Sequence, residues 1–167
     1  MSTTFKLEHD FPDISLSKFI AHLNDPQLNK MLETGLSFDE RKMVKRKELP
    51  SGVEWQFHVR KHGELPAAIK RIIKSDGFSW QEKSCFVRAE NRVYWEISSD
   101  SSLLRFHGEG VWVLSPLGQG CKRIIEGKIN VDIPLVGKMV ETFIVSELKK
   151  TYEIEPSIQA RFYSTIA

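Results

Sequence analysis

Ionisable residues on predicted strands are the side chains best placed to do chemistry in this sequence. Arg123 shares a strand face with Ile125 and Ile129, and Glu82 shares one with Trp80, because side chains alternate between the two faces of a strand. A charge on an otherwise apolar face must be paired or must reach water. We therefore expect Arg123 at a solvated end of the sheet. The alternative is that Arg123 or Glu82 holds the head group of a ligand.

His107 and Glu109 form a second candidate pair, since two residues two positions apart on a strand share a face. An exposed ion pair is the expected arrangement, and a general acid–base pair is the alternative. If these two residues, Glu82 and Arg123 all faced one cavity, they would support a cyclase- or hydrolase-type enzyme. The sequence by itself assigns no residue a catalytic role.

Metal and phosphate chemistry receive little support from the sequence. His58 and His62 are four residues apart, and on a strand that spacing is about 13 Å, too far for one shared ion. Gly118 and Gly120 lie in a predicted hairpin turn without the lysine and hydroxyl residue of a phosphate loop. A nucleophile elbow of the Gly-x-Ser-x-Gly type does not occur. We therefore expect no metal and no cofactor.

Large aromatic side chains on the predicted strands are the main sign of a binding site. They either fill the core or line an apolar cavity, and an apolar pocket with a few polar groups is typical of ligand sites. With Arg123 and two apolar residues of a predicted C-terminal helix, they form the predicted ligand-binding set. The members of this set are Trp55, Phe57, Trp80, Phe86, Trp95, Trp112, Arg123, Phe143 and Ile144.

The composition is that of a water-soluble globular protein. The chain has 167 residues, of which 41% are hydrophobic and 28% charged, with a formal net charge of +2. We expect one domain over residues 1–167, since a chain of this length suits a single core. The small net charge does not indicate a nucleic-acid partner. Without a signal pattern or an apolar stretch of about 18–20 residues, we expect a cytoplasmic protein.

The order of predicted elements indicates an α+β fold. A first strand is followed by two short helices, one opened by Ser15 or Asp13 and one by Pro26. The hydrophobic period then changes from 3.6 to 2, which favours antiparallel strands joined by short links. Glycines 108, 110 and 127 suit bends or bulges. The predicted strands cover residues 3–10, 40–49, 53–59, 78–89, 92–98, 103–114 and 120–131, with a short amphipathic helix at 66–74.

A long helix is predicted to close the chain. Asp132 can cap it, Pro134 suits its first turn, and Pro156 should end or kink it. One apolar stripe runs along it, with most of its charged residues, Glu141 among them, on other faces. From residue 134 to 155 it would be about 33 Å long. That length is enough to cover one face of a curved sheet, so the strand Val53 to Val59 is expected to pack on this helix.

The stretch from His107 to Glu147 resembles the START-like superfamily, also called SRPBCC or helix-grip proteins. The features that carry the resemblance are Gly108 to Pro116, Gly118 to Cys121, Val131 to Gly137 and the long helix after them. It is most similar to a bacterial group of uncharacterised function. The resemblance implies a curved antiparallel sheet of about six to seven strands around the C-terminal helix, with two short helices after the first strand. It also implies a cavity for an apolar or amphipathic, lipid-like ligand.

Two clusters of basic residues leave a membrane contact open. Lys42, Lys45, Arg46 and Lys47 lie on one strand, and Lys70, Arg71 and Lys74 on the short helix. We expect them to be solvated, and lysines also discourage pairing at a sheet edge. The alternative is transient contact with an anionic membrane surface, with the isoleucines of the short helix dipping in or acting as a lid.

Three functions remain open from the sequence. Binding or carriage of an apolar small molecule is the expected one. A cyclase- or hydrolase-type enzyme on the same fold and a protein-interaction module with a packed interior are the alternatives.

Overall fold

A seven-stranded antiparallel sheet and four helices make up the described residues, 2–63, 65–74 and 77–166, of the computed structural model. The spatial order of the strands is β1-β7-β6-β5-β4-β3-β2, so β1 and β2 are the two edges. The predicted α+β helix-grip architecture is confirmed. In chain order the elements are β1 (Thr3–Phe11), α1 (Leu16–Ala21), α2 (Pro26–Gly35), β2 (Glu40–Leu49), β3 (Gly52–His62), α3 (Ala67–Ile73), β4 (Gly77–Val87), β5 (Arg92–Ser99), β6 (Phe106–Leu117), β7 (Gly120–Val131) and α4 (Gly137–Ser164).

The two short helices begin where their capping residues predict. The Ser15 hydroxyl accepts a hydrogen bond from the backbone N–H of Lys18 at 3.2 Å and starts α1. The Asp25 carboxylate accepts from the N–H of Gln27 at 2.9 Å, and Pro26 occupies the first turn of α2. Both arrangements satisfy N–H groups that a helix leaves unpaired at its start.

The inner face of the sheet consists of rows of side chains that run across the strands. One row joins Trp55, Ser84 and Trp95 to Gly110 and Gly127, each paired with the next in the antiparallel register. The glycines in this row are explained by Trp95, because a Cβ atom on Gly110 or Gly127 would lie 2.5 or 2.4 Å from its indole ring. The registers of β5 to β7 contain no shift, so of the two predicted features, a bend or a bulge, the bulge does not occur at these glycines.

Strand β3 faces inward as predicted but packs on different neighbours. Trp55, Phe57 and Val59 are buried in a cluster with Phe86 and Val93 of the next two strands. The partly buried residues against this cluster include Ile20, Leu23 and Phe38 of the α1–α2 region, whereas Phe143 and Leu148 of α4 pack in another cluster. The prediction that β3 packs directly on the long helix is therefore wrong.

Helix α4 differs from its prediction at both ends. It begins at Gly137, and Val136 is its N-cap residue. No side chain caps its first turn by a hydrogen bond, so Asp132 does not cap it. It also continues through Pro156 to Ser164. Proline lacks the N–H that would bond to the carbonyl four residues earlier. In this helix that carbonyl belongs to Tyr152, and it interacts with the His9 imidazole of β1 instead.

Smaller differences concern β6 and the polar face of α4. Strand β6 starts at Phe106 rather than at residue 103 and reaches Leu117. Glu141 is 2% exposed, where the helical pattern places it away from the core. Its carboxylate accepts from the N–H of Val131 at 3.0 Å and from the Thr3 hydroxyl at 2.8 Å, so it joins the start of α4 to β7 and β1.

Across the described ranges, no helix is long and apolar enough to cross a membrane.

Candidate ligand-binding site

A cavity of about 210 Å³ lies between the inner face of the sheet, α2 and α4. All four tryptophans of the chain line it. Of the predicted set it brings together Trp55, Trp80, Trp95, Trp112, Phe143 and Ile144. Phe57, Phe86 and Arg123 do not reach its surface; they are buried in the surrounding core, at 1%, 2% and 0% exposure.

Two buried polar atoms of cavity-lining residues have no hydrogen-bond partner among the described residues. They are the indole nitrogen of Trp95 and the side-chain oxygen of Gln159. The indole of Trp112 bonds to the Tyr152 hydroxyl. A buried donor or acceptor without a partner costs roughly 1–3 kcal/mol. A molecule that supplied a donor to Gln159 or an acceptor to an indole would remove part of that cost.

Arg123 and Glu155 form a buried ion pair beside the cavity. Arg123 Nη1 donates to Glu155 Oε1 at 2.8 Å, and Nη2 donates to Glu155 Oε2 at 3.1 Å. The guanidinium also lies 4.9 Å from the centre of the Trp112 ring and 5.4 Å from that of Tyr152. Arg123 is fully buried, so the expectation of a solvated residue at a sheet end is wrong. The sequence contains no sign of Glu155 as partner, since it lies 32 residues away and next to a proline.

The charge on Glu155 is held by this geometry. Burial raises the pKa of the Glu155 carboxyl. This effect is outweighed by the charge of Arg123, by the hydrogen bonds from Arg123 and by the hydrogen bond from the Gln159 amide, so the pKa lies below its usual value. Gln159 Nε2 donates to Glu155 Oε1 at 2.8 Å. Glu155 and Gln159 both line the cavity, so the ion pair holds the Gln159 amide in place in the cavity wall.

His9 completes this network from β1. Burial lowers the pKa of the His9 imidazole, and the Arg123 charge lowers it further, against smaller effects of Glu155, the Tyr152 carbonyl and Asp10. Arg123 Nη2 lies 3.1 Å from His9 Nδ1, and an arginine can only donate, so His9 accepts through Nδ1. The pKa of the Tyr152 hydroxyl is raised, mainly by burial and then by the Glu155 charge.

The four residues proposed for acid–base chemistry do not meet. Glu82 lines the cavity and accepts a hydrogen bond from Trp80 Nε1 at 3.0 Å. His107 and Glu109 lie on the outer face, each half exposed, and Glu109 pairs with Lys128 at 2.9 Å. The exposed pair expected for His107 and Glu109 is therefore what the structure contains.

His58 and His62, the two histidines considered as metal ligands, each bond to acidic side chains. His58 lies between Glu40 and Asp100, with Nδ1 2.7 Å and Nε2 2.8 Å from their carboxylates. His62 contacts Asp39 at 2.6 Å. Within the described part of the chain, no group of three or more His, Cys, Asp or Glu side chains could hold a metal ion.

A comparison with protein families identifies the chain. The family described as protein of unknown function (DUF2505) matches residues 6–162. This chain belongs to the DUF2505 family. No curated protein matches it. Among solved structures it is similar to TTHA0849 from Thermus thermophilus, with 14% identity over 99% of this chain and 100% of that one and a TM-score of 0.66.

Two further solved structures show that this chain has the START-like fold. A START superfamily protein from Mycobacterium smegmatis shares 15% identity over 99% of both chains, with a TM-score of 0.53. Zhui aromatase/cyclase from Streptomyces sp. R1128 shares 10% over 95% of this chain and 90% of that one, with a TM-score of 0.54. At these identities the similarity shows the fold, which is the START-like helix-grip fold predicted from the sequence.

Two cations in the cavity wall were missed by sequence reasoning. Arg41 on β2 and Lys61 on β3 both line the cavity and are both half-buried. The segment from Glu40 to Leu49 is mostly charged, so it has no regular alternation that would separate an inward arginine from its outward neighbours. The strand also contains a bulge between Met43 and Lys45, which reverses the alternation part-way along.

A second, wider depression of about 1280 Å³ lies mainly over the outer face of the sheet. Its charged side chains are largely paired with one another: Lys6 lies 3.4 Å from Glu126, and Lys128 lies 2.9 Å from Glu109. Such exposed pairs are solvated and contribute little. The inner cavity, with its apolar wall and unpaired polar atoms, is therefore the better candidate site.

The short helix α3 does not offer an apolar face to a membrane. Ile69 is 1% exposed, and Ile73 packs against the same core cluster. The proposed dipping of these isoleucines would expose core residues. Lys42, Lys45, Arg46 and Lys47 are exposed on the edge strand β2 as expected, which leaves charge alone for any membrane contact.

Proposed function

We propose that this protein binds a small, mainly apolar molecule in the cavity between its sheet and α4. The observation that carries the proposal is an apolar, tryptophan-lined cavity of about 210 Å³, two of whose lining residues, Trp95 and Gln159, keep a buried polar atom without a hydrogen-bond partner among the described residues. Gln159 is 5% exposed, and its amide is held in place by Glu155. Such a fixed, unsatisfied acceptor in an apolar wall is what gives a ligand site its orientation and specificity.

The cavity volume favours a small ligand. At about 210 Å³ it exceeds the roughly 150 Å³ of an apolar cavity that accepts benzene. It is smaller than the roughly 300–1,000 Å³ typical of sites for drug-sized ligands. One aromatic ring with a short chain suits this space better than a long lipid tail.

A cyclase-type reaction is the second candidate. An aromatase/cyclase stands among the similar structures, and Glu82 supports the candidate as a cavity carboxylate that makes no ion pair with another described residue. Binding without chemistry needs fewer assumptions, since His107 and Glu109 lie on the outer face and no second candidate acid or base accompanies Glu82 from the predicted set.

Two measurements test the binding proposal. Protein purified without detergent is compared by native and denaturing mass spectrometry, which reveals any small molecule that leaves on unfolding. Because all four tryptophans line the cavity, titration with small aromatic compounds should also change the intrinsic fluorescence.

A matched pair of serine variants provides the control. Ser84 lies between Trp55 and Trp95 in the cavity wall, so Ser84→Phe should fill the space and abolish the fluorescence change. Ser98 is exposed on β5, so Ser98→Phe should leave it intact. Equal responses of both variants, with both still folded by circular dichroism, would refute the cavity as the binding site.

A further inference from the structure

Arg41 is an arginine in the cavity wall that is fixed in position but unpaired. It stands opposite Val59 on the inner face of the β2–β3 ribbon. Its guanidinium carbon lies 3.9 Å from the centre of the Phe57 ring, and Nη1 donates to Asn29 Oδ1 at 3.0 Å. Stacking and one hydrogen bond hold the guanidinium plane, which leaves most of its five N–H groups for another partner.

Lys61 lies beside Arg41 and is equally without an acidic partner. Its Nζ donates to the Leu36 carbonyl at 3.3 Å and lies 5.3 Å from the centre of the Phe38 ring. Among the residues that the structure describes, no carboxylate forms an ion pair with the side chain of either cation. Glu33 is near enough for the Arg41 charge to act on it: the pKa of its carboxyl is lowered mainly by the hydrogen bond from Lys30 and least by the Arg41 charge. Its oxygens bond to Lys30 at 2.8 Å and to the backbone N–H of Arg41 at 3.0 Å, not to the guanidinium.

The other carboxylates of the cavity do not neutralise these cations. Glu155 is bonded to both terminal nitrogens of Arg123, and Glu147 pairs with Lys150 at 3.0 Å. Glu82 accepts a hydrogen bond from Trp80 at 3.0 Å and forms no ion pair with either cation among the described residues. Two half-buried cations facing an apolar space are costly unless an anion joins them.

We propose, building on the proposed function, that the ligand is a small carboxylic acid whose carboxylate is bound by Arg41, with Lys61 beside it. The planar guanidinium matches the two oxygens of a carboxylate, and such bidentate bonds are stronger than those between neutral groups. The apolar part of the ligand then lies against Trp55 of β3 and Trp80 of β4, both of which line the cavity.

Three probes of the same shape and different charge test this inference: 3-phenylpropionate, 3-phenylpropan-1-ol and 3-phenylpropylamine. Each is titrated into the protein at pH 7 and low salt, followed by tryptophan fluorescence and calorimetry. We expect the acid to bind at least about tenfold more tightly than the alcohol, in line with the strength of charged hydrogen bonds. In Arg41→Gln that preference should disappear while the affinity for the alcohol stays the same.

Arg60→Gln is the matched control. Arg60 is an exposed arginine on β3, one position from Val59 and on the outer face, so its removal should leave the preference for the acid unchanged. Lys61→Gln should reduce the preference by less than Arg41→Gln, because an ammonium lacks the fork geometry.

The outcomes separate this inference from the function on which it rests. Equal affinities for acid and alcohol, tightest binding of the amine, or an acid preference that survives Arg41→Gln would each overturn the carboxylate assignment while leaving a ligand cavity. If none of the three probes binds, and native mass spectra contain no bound molecule, the cavity proposal itself fails and the assignment fails with it.

Discussion

The Arg123–Glu155 pair offers a direct test of the buried network. Replacing Arg123 by Met would remove the guanidinium and leave the Glu155 carboxylate 5% exposed, with the Gln159 amide as its remaining bond in this network. Breaking one side of a buried ion pair typically costs about 3–5 kcal/mol. For a chain of this size, each kcal/mol lowers the melting temperature by roughly 2–4 °C, so the expected decrease is about 6–20 °C.

A double variant separates a lost charge partner from lost packing. In Arg123→Met with Glu155→Gln, neither member of the pair carries a charge, and Gln159 can still donate to the new amide oxygen. Residues that share one network are coupled rather than additive. The double variant should therefore be more stable than Arg123→Met alone, although two native side chains are missing.

Urea unfolding followed by far-ultraviolet circular dichroism and tryptophan fluorescence measures both variants. The pH dependence of the free energy of unfolding provides a second readout. The pKa of Glu155 lies below its usual value in the folded state. The stabilisation from its charge is therefore present near neutral pH and is lost as the pH falls through that lowered pKa. Lys128→Met, which breaks an exposed pair, serves as control and should change the unfolding midpoint little. If Arg123→Met is no more damaging than Lys128→Met, or the two network substitutions simply add, the reasoning is wrong.

Three further predictions concern single residues. The pKa of His58 is raised mainly by its hydrogen bond with Glu40. His58 should therefore stabilise the fold below about pH 6.5, and this stabilisation should be lost as the pH rises through the raised pKa of the folded state. In His58→Gln the free energy of unfolding should change less with pH over this range. Gly110→Ala should destabilise the protein and alter its fluorescence, because the new Cβ would lie 2.5 Å from Trp95 and 2.0 Å from a backbone oxygen; unchanged thermal melting would contradict this. Of the two thiols, Cys85 is half-buried and Cys121 buried, and burial raises the pKa of both; Ellman's reagent should therefore titrate Cys121 only after unfolding.

The sheet was predictable because its information is local. Alternation from Val53 to Val59 specifies one buried face, and Pro26 specifies where a helix begins. The tryptophans could be assigned to the inner face for the same reason, although the sequence did not decide between a filled core and a cavity. That distinction depends on how far Trp95 extends over Gly110, which only the register across strands determines.

The buried charges were not predictable because their partners are distant in sequence. A strand position assigns Arg123 to a face, but Glu155 reaches it from a helix that was expected to end or kink at Pro156. The helix continues through this proline, and the carbonyl that the proline leaves free interacts with His9, which is far away in sequence. Arg41 was not predictable for another reason, since a bulge in a mostly charged strand leaves no regular alternation from which its face could be assigned.

The bulge in β2 also affects how this sheet can change length and associate. Met43 pairs with Phe57 and Lys45 with Gln56, so Val44, which is half exposed, has no partner in the ladder. Deleting Val44 should therefore keep Arg41 facing the cavity and the rest of the strand in register. The same extra residue interrupts the regular spacing of donors and acceptors along an edge strand. A strand from another molecule could not then pair along the full edge, which protects the cation side of the cavity from sheet-to-sheet aggregation.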